Sequence, residues 1–219
     1  MLSIRLESLV KHIKITDKVI DIGCDHALLD VHLVKNNFLK SMIVSDVHEN
    51  ALKAGIENIE KNNLSKKIDA RLGNGLTVLT DKDNIDTVLI SGMGTSTILK
   101  ILNHPYLSKI NKLILQSNND HYELRKRLIE LGFQVKAEDF LIDNKKHYIN
   151  IVFERGNKEY SKNEIKYGPN LIHNKNYLRF ELENCERIKK LIPKMEFTYR
   201  FRLYREIKLL NKLINESNK

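Results

Sequence analysis

Over residues 18–154, short apolar runs alternate with stretches of helical spacing. The run KVIDIG at 18–23 reads as a buried strand, and 28–36 as the helix that follows it. A second strand at 42–45 ends at Asp46, and 50–62 carries Leu52, Ile56 and Ile59 on one helical face. The alternation continues with strands at 68–72, 87–91 and 112–116 and helices at 96–102 and 122–131, the last closed by Gly132 as a C-cap. Two more strand-like runs, 134–142 and 148–154, flank the turn residues 143–146 (DNKK), which predicts a hairpin. Strands alternating with helices imply an α/β fold, a parallel sheet covered on both faces.

After residue 154 the pattern changes. Residues 155–166 are polar and read as a linker, and Gly168-Pro169 is a break that can start a helix. Leu171, Leu178, Leu182, Cys185, Ile188 and Ile192 then follow helical spacing until Pro193, and Leu203, Ile207, Leu210 and Ile214 form a second run. Two amphipathic helices around a break predict an antiparallel hairpin. The expected division is therefore a domain at 1–157 and a tail at 158–219.

Charge sharpens this division. Lys plus Arg is 37 and Asp plus Glu is 28, a net of +9. Residues 1–157 hold 22 basic and 20 acidic groups, and residues 158–219 hold 15 and 8, so the tail alone carries +7. Such a surface attracts phosphate backbones, although a lysine-rich proteome gives the same numbers and composition does not choose between them. No apolar run reaches the roughly 20 residues of a membrane span. The first 14 residues are interrupted by Arg5, Glu7, Lys11 and His12, unlike a secretory signal. Two cysteines, Cys24 and Cys185, are too few for a disulfide scaffold or a Cys-based zinc site, so a reducing cytoplasm is the expected setting.

The candidate chemistry lies just after the strands, where α/β sheets bind ligands. Asp21-Ile22-Gly23-Cys24-Asp25-His26-Ala27 follows the first strand, with Gly23 open to close approach. The segment lacks GxGxxG, which disfavours NAD or FAD, and the chain lacks GxxxxGK[ST]. Asp46 ends the second strand about where a ribose diol is held, or else caps the next helix. Gly73-Asn74-Gly75 would present an amide suited to an adenine edge, or is a plain turn. Gly92-Met93-Gly94 offers room and a soft wall for a flat base or a sulfonium, with Thr95 or Ser96 as the cap of the following helix. Residues 116–119 form a polar shelf able to touch a base edge. Together the five loops point to a nucleoside-containing cofactor.

Taken in order, these segments resemble the bacterial tRNA adenine-22 N1-methyltransferase family of the TrmK type. The resemblance rests on Leu2-Ser3-x-Arg5-Leu6, Asp21-Ile22-Gly23-x-Asp25-His26-Ala27, Arg71-x-Gly73-Asn74-Gly75-Leu76, Gly92-Met93-Gly94, Leu113-Ile114-Leu115-Gln116-x-Asn118, Tyr148 and Gly168-Pro169. It implies a Rossmann-like class I methyltransferase sheet, whose closing hairpin fits, and a C-terminal two-helix coiled coil that grips tRNA. The cofactor implied is S-adenosyl-L-methionine, lined by Asp21, Gly23, Asp25, His26, Asp46, Gly73, Asn74, Gly75, Gly92 and Met93. Expected substrate contacts are Arg5, Gly94, Gln116, Asn118 and Tyr148, with Arg200, Arg202 and Arg205 in the tail. Asn74 stands where the family is expected to have Asp, Thr95 where it has Gly, and Ser117 where it has Pro.

Adenine N1 carries an in-plane lone pair, so alignment against the sulfonium methyl matters more than a strong base. Asp25 and His26 are the candidate catalytic groups, for orienting the base or taking a proton from N6. No Pro-Cys or Thr-Cys loop follows the fourth strand, which disfavours cytosine C5 methylation. Two rivals stay open at this level: a methyltransferase for another RNA or a small molecule, and a non-enzymatic RNA-binding module. No metal or membrane is expected, and a monomer is compatible with the sequence.

Overall fold

The computed structural model describes residues 2–193 and 195–216. Seven strands form one sheet: β1 (Val19–Ile22), β2 (Met42–Asp46), β3 (Ile68–Leu72), β4 (Thr87–Met93), β5 (Lys112–Ser117), β6 (Phe133–Asp143) and β7 (Lys146–Arg155). Their order is β3-β2-β1-β4-β5-β7-β6, with β7 antiparallel to both neighbours and β1–β5 parallel. Helices α1 (Ile4–Val10), α2 (Leu28–Lys35), α3 (Glu49–Lys61), α4 (Thr95–Leu102) and α5 (His121–Glu130) complete this unit. Every residue of β1, β2 and β5 is buried, as expected of β-branched runs covered from both sides. The strand order reverses between β1 and β4, and at such a reversal the strand ends open a crevice.

The hairpin turns on Asn144 and Lys145, both with positive φ, the geometry that matches strand twist in a two-residue turn. Gly132, at φ +80°, follows α5 as its left-handed stop.

One helix is additional, and two expectations are corrected. Residues 4–10 form a helix: Ser3 Oγ accepts the amide of Leu6, Leu9 and Val10 are buried, and the Arg5 amide donates to Asp143 at 3.1 Å. The polar linker at 155–166 contains the start of α6 (Lys162–Tyr167), where Ser161 and Glu164 form a reciprocal capping box. Helix α4 has Gly94 as its N-cap, and the Thr95 hydroxyl instead bonds Ser117 Oγ at 2.9 Å and the Asn119 carbonyl at 2.7 Å, across to β5.

The chain divides into two compact units, Met1–Lys158 and Glu159–Lys219. In the second, α7 (Lys175–Leu191) and α8 (Phe197–Glu216) pack on one another through a short connection around Pro193. Leu178, Leu203 and Leu210 are buried, the Tyr167 hydroxyl bonds Glu206, and Arg200 Nη1 donates to the Ile192 carbonyl at 3.1 Å, satisfying the end of α7. Residues 194 and 217–219 of the expected tail lie outside the described residues. Among the described residues no helix is long and apolar enough to cross a membrane.

Candidate functional site

The loops after β1, β2, β3 and β4 converge on one cavity of about 700 Å³ at the strand-order reversal. Its wall includes Asp21, Gly23, Asp25, His26, Asp46, Gly73, Asn74, Gly75, Gly92 and Met93, all ten of the residues expected to hold a cofactor. Arg5 of α1 closes one side.

Backbone bonds between neighbouring strand ends hold the loops. Gly23 N donates to the Ser45 carbonyl at 2.8 Å, Gly73 N to the Asp46 carbonyl at 2.9 Å, and Asn118 N to the Met93 carbonyl at 2.9 Å. Asp46 is buried and braces two loops at once: Oδ1 accepts the His48 amide at 2.8 Å and Oδ2 the Asp25 amide at 3.4 Å. Each of its oxygens keeps a second acceptor site. Helix α3 begins after His48 with no side-chain cap, so Asp46 is not its N-cap.

The loop 25–27 is strained. Asp25 and Ala27 both have positive φ, 49° and 52°, a conformation that costs of order 1–3 kcal/mol per residue and tends to be kept at functional sites. It is pinned from α3, where Asn58 Nδ2 donates to the His26 carbonyl at 2.9 Å. A Cβ built on Gly55 would meet the Asp25 carbonyl at 3.0 Å, so the helix backbone lies close against the loop. Asp25 and His26 project outward as an exposed pair, with Oδ1 and Nε2 3.8 Å apart.

Two glycines have the positive φ that disfavours a side chain, and a Cβ there would also displace the flexible end of a neighbouring side chain. A Cβ on Gly23 (φ +82°) would lie 2.2 Å from Met93 Cε, and one on Gly92 (φ +80°) 3.0 Å from Arg5 Nη1. Gly92 also marks a shift of register between β4 and β5, which turns the end of β4 toward the cavity. The loop after β3 is held by Arg71, whose fork grips Asp83 at 2.6 and 2.9 Å and whose Nη1 donates to the Val78 carbonyl at 2.9 Å.

The expected substrate contacts separate. Arg5 Nη1 donates to Gln116 Oε1 at 3.2 Å, Gln116 Nε2 to Asn150 Oδ1 at 2.6 Å, Asn150 Nδ2 to Ser8 Oγ at 2.7 Å, and Ser8 Oγ to the Arg5 carbonyl at 2.7 Å. This closed ring buries Gln116 completely, so it aims Arg5 and does not itself offer an edge to a ligand. The Arg5 guanidinium also lies 5.6 Å over the Tyr148 ring. Asn118 is exposed, with Nδ2 bonded to the Gly92 carbonyl at 2.7 Å. Gly94 starts α4 beside Asn119. Arg200, Arg202 and Arg205 lie on α8 in the second unit and are not among the residues that line this cavity.

Burial pushes the Asp21 carboxyl up to about 7, with the nearby Asp46 charge adding to it. Burial, and then the charge of Asp30, push the Cys24 thiol up, which disfavours its thiolate form. Sequence reasoning named Arg71 only as part of the motif of the Gly-Asn-Gly loop, without a role, and did not single out Asp30, Asn150 or Lys100, the last of which lines the cavity. The signal for Arg71 was its place two residues before the Gly-Asn-Gly loop.

A family model for tRNA (adenine(22)-N(1))-methyltransferase matches residues 19–218. The chain belongs to this family. A Bacillus subtilis tRNA (adenine(22)-N(1))-methyltransferase is 30% identical over 160 residues, 72% of this chain and 67% of that one. A Streptococcus pneumoniae structure solved in complex with S-adenosyl-L-methionine superposes with a TM-score of 0.89 at 30% identity, over 98% of this chain and all of that one. M. capricolum TrmK, solved with S-adenosyl-homocysteine, gives a TM-score of 0.85 at 30% identity, over 98% of each chain. Against this tRNA (adenine-N1)-methyltransferase family, the cavity stands at the end of the sheet where a nucleoside cofactor is expected.

Proposed function

We propose that this chain transfers a methyl group from S-adenosylmethionine to N1 of adenine 22 in tRNA, with the cofactor held in the crevice between β1 and β4. The observation that carries this is the meeting of four strand-end loops on one cavity lined by Asp21, Asp46 and Asn74. The fit is chemical: Asp21 is a buried carboxyl on the cavity wall whose Oδ1 finds no donor other than a proton shared with Asp30, and it suits a cationic ligand, while the bare backbones of Gly23 and Gly92 admit a close one. Asp46 would accept from the ribose hydroxyls, and Asn74 would offer its amide to the adenine edge. When bound, the cofactor supplies a methyl group on a cationic sulfur.

The chain's own work is alignment. Arg5, fixed by Gln116 and Tyr148, closes the cavity beside Gly92, where the incoming base must lie. Asp25, at the mouth, would stabilise the positive charge that develops on the methylated base, with His26 beside it. Presenting N1 requires the adenine to leave its stack, at a cost of a few kcal/mol. The tail would offset this by gripping the tRNA backbone with Arg200, Arg202 and Arg205, and its net of +7 supports that role. A tRNA substrate sets the workplace as the cytoplasm, and the monomer is taken as the working unit.

The test is to change Asp25 and His26 to Ala separately and measure cofactor affinity beside turnover. A loss of turnover of about 100-fold at saturating cofactor in either variant supports the assignment. Unchanged turnover in both removes these residues from the chemistry.

A further inference from the structure

Behind the cavity wall lies a second carboxyl that the site leaves unused. Asp30, in the first turn of α2, is fully buried and is not part of the cavity lining, whereas Asp21 is. With both groups ionised, Asp21 Oδ1 and both oxygens of Asp30 are buried without a partner. Two buried carboxylates do not both stay charged at such a site, and a proton on one lets it donate to the other. The charged and titratable groups facing the pair are Arg5 from α1, Asp46 from the end of β2 and the Cys24 thiol from the loop, while β4 contributes none.

We infer that Asp30 is a positioning residue for the amino-acid end of the cofactor: it holds a proton away from the cavity and presents Asp21 as a carboxylate to the incoming α-ammonium group, so that cofactor capture releases a proton. This rests on the proposed S-adenosylmethionine site. Burial raises both carboxyls, Asp30 well above its ordinary range and Asp21 to about 7. Above that pH, Asp21 is ionised and ready. Below it, Asp21 carries a proton of its own, which passes to solvent as the ammonium group arrives, while the proton on Asp30 stays. Affinity therefore falls as pH falls.

Calorimetric titration of S-adenosylhomocysteine into the full chain, in paired buffers of different ionisation heat, reads affinity and proton release together. Methylthioadenosine, which lacks the ammonium group, is the control. The expected result is binding about tenfold weaker at pH 6 than at pH 8, with proton release toward pH 6. Methylthioadenosine shows neither effect. Asp30→Asn, whose amide supplies the donor with no proton to lose, keeps the profile because the released proton is that of Asp21, whereas Asp30→Leu, which removes the donor, moves the profile toward higher pH. A flat profile for S-adenosylhomocysteine, or an equal slope for methylthioadenosine, overturns the inference. So does a profile that Asp30→Asn flattens, which would put the released proton on Asp30 itself, or one that Asp30→Leu leaves where it was. Should Asp30→Leu not fold, Asp30→Asn and the two-ligand comparison on the unaltered chain decide together. Absence of binding at every pH overturns the cofactor site itself, whereas binding without proton linkage overturns only the role of Asp30.

Discussion

In the crevice at the strand ends, behind the exposed pair Asp25 and His26 at its mouth, the polar groups are bonded into the fold: Asp46 braces two loops, Arg71 grips a third, and Gln116 is spent on aiming Arg5. On α8 the arrangement is the reverse. Arg202 and Arg205 are exposed, and Phe197, Phe201 and Tyr204 stand beside them with more than half their surface in water. A pre-bonded crevice discriminates by shape, because each group has one place to be. An exposed basic and aromatic helix suits an extended polyanion, because backbone phosphates and base faces tolerate many registers. The two regions should therefore fail differently when altered.

The largest effect is expected at Gly23. Gly23→Ala puts a Cβ into Met93 at a φ that alanine resists, and should weaken S-adenosylmethionine binding by about 100-fold or more. Calorimetry measures it, and unchanged affinity would show that the glycine backbone does not face the cofactor. Next is Asp46→Ala, which removes a charged acceptor and a brace. It should cost about 1.5–3 kcal/mol of cofactor affinity, with tRNA binding intact.

Arg202→Ala/Arg205→Ala alters the exposed helix alone. The KM for tRNA should rise several-fold, and the salt dependence of binding should flatten by about 2 in log–log slope. Cofactor affinity should not move, and a change there would erase the division of labour. The smallest effect concerns the scaffold of the crevice. Arg71→Ala should cost about 1 kcal/mol, roughly 2–4 °C in Tm. Hydrogen bonds from Arg71 hold the Asp83 carboxyl below its usual range. The pair therefore stabilises the fold above the ordinary Asp pKa of about 3.9, and the contribution is lost as pH falls below that value. A Tm-against-pH profile of Asp83→Asn should lack that acid limb.

The strands β1, β2 and β5 were legible because they are buried on both faces, so their sequences are largely apolar runs, and the loops were legible because each follows a strand. Helix α1 was not, since its short amphipathic pattern is interrupted by Arg5 and Glu7, although Ser3 ahead of Leu6, Leu9 and Val10 was a cap signal in plain view. Helix α6 is polar and declares itself only by its capping box. The positive φ of Asp25 and Ala27 had no signature, because neither residue type demands it and the constraint comes from Gly55 and Asn58 on a distant helix. Asp30 was hidden for a similar reason: an acid in the first turn of a helix ordinarily faces water, and only the sheet behind α2 makes this one buried.

The most direct test of the account is methyl transfer from labelled S-adenosylmethionine to unmodified tRNA, followed by nucleoside analysis. The account predicts 1-methyladenosine, abolished when adenine 22 is replaced by guanine. Cofactor binding with no transfer to tRNA, or 1-methyladenosine that persists in the guanine-22 tRNA, would contradict it.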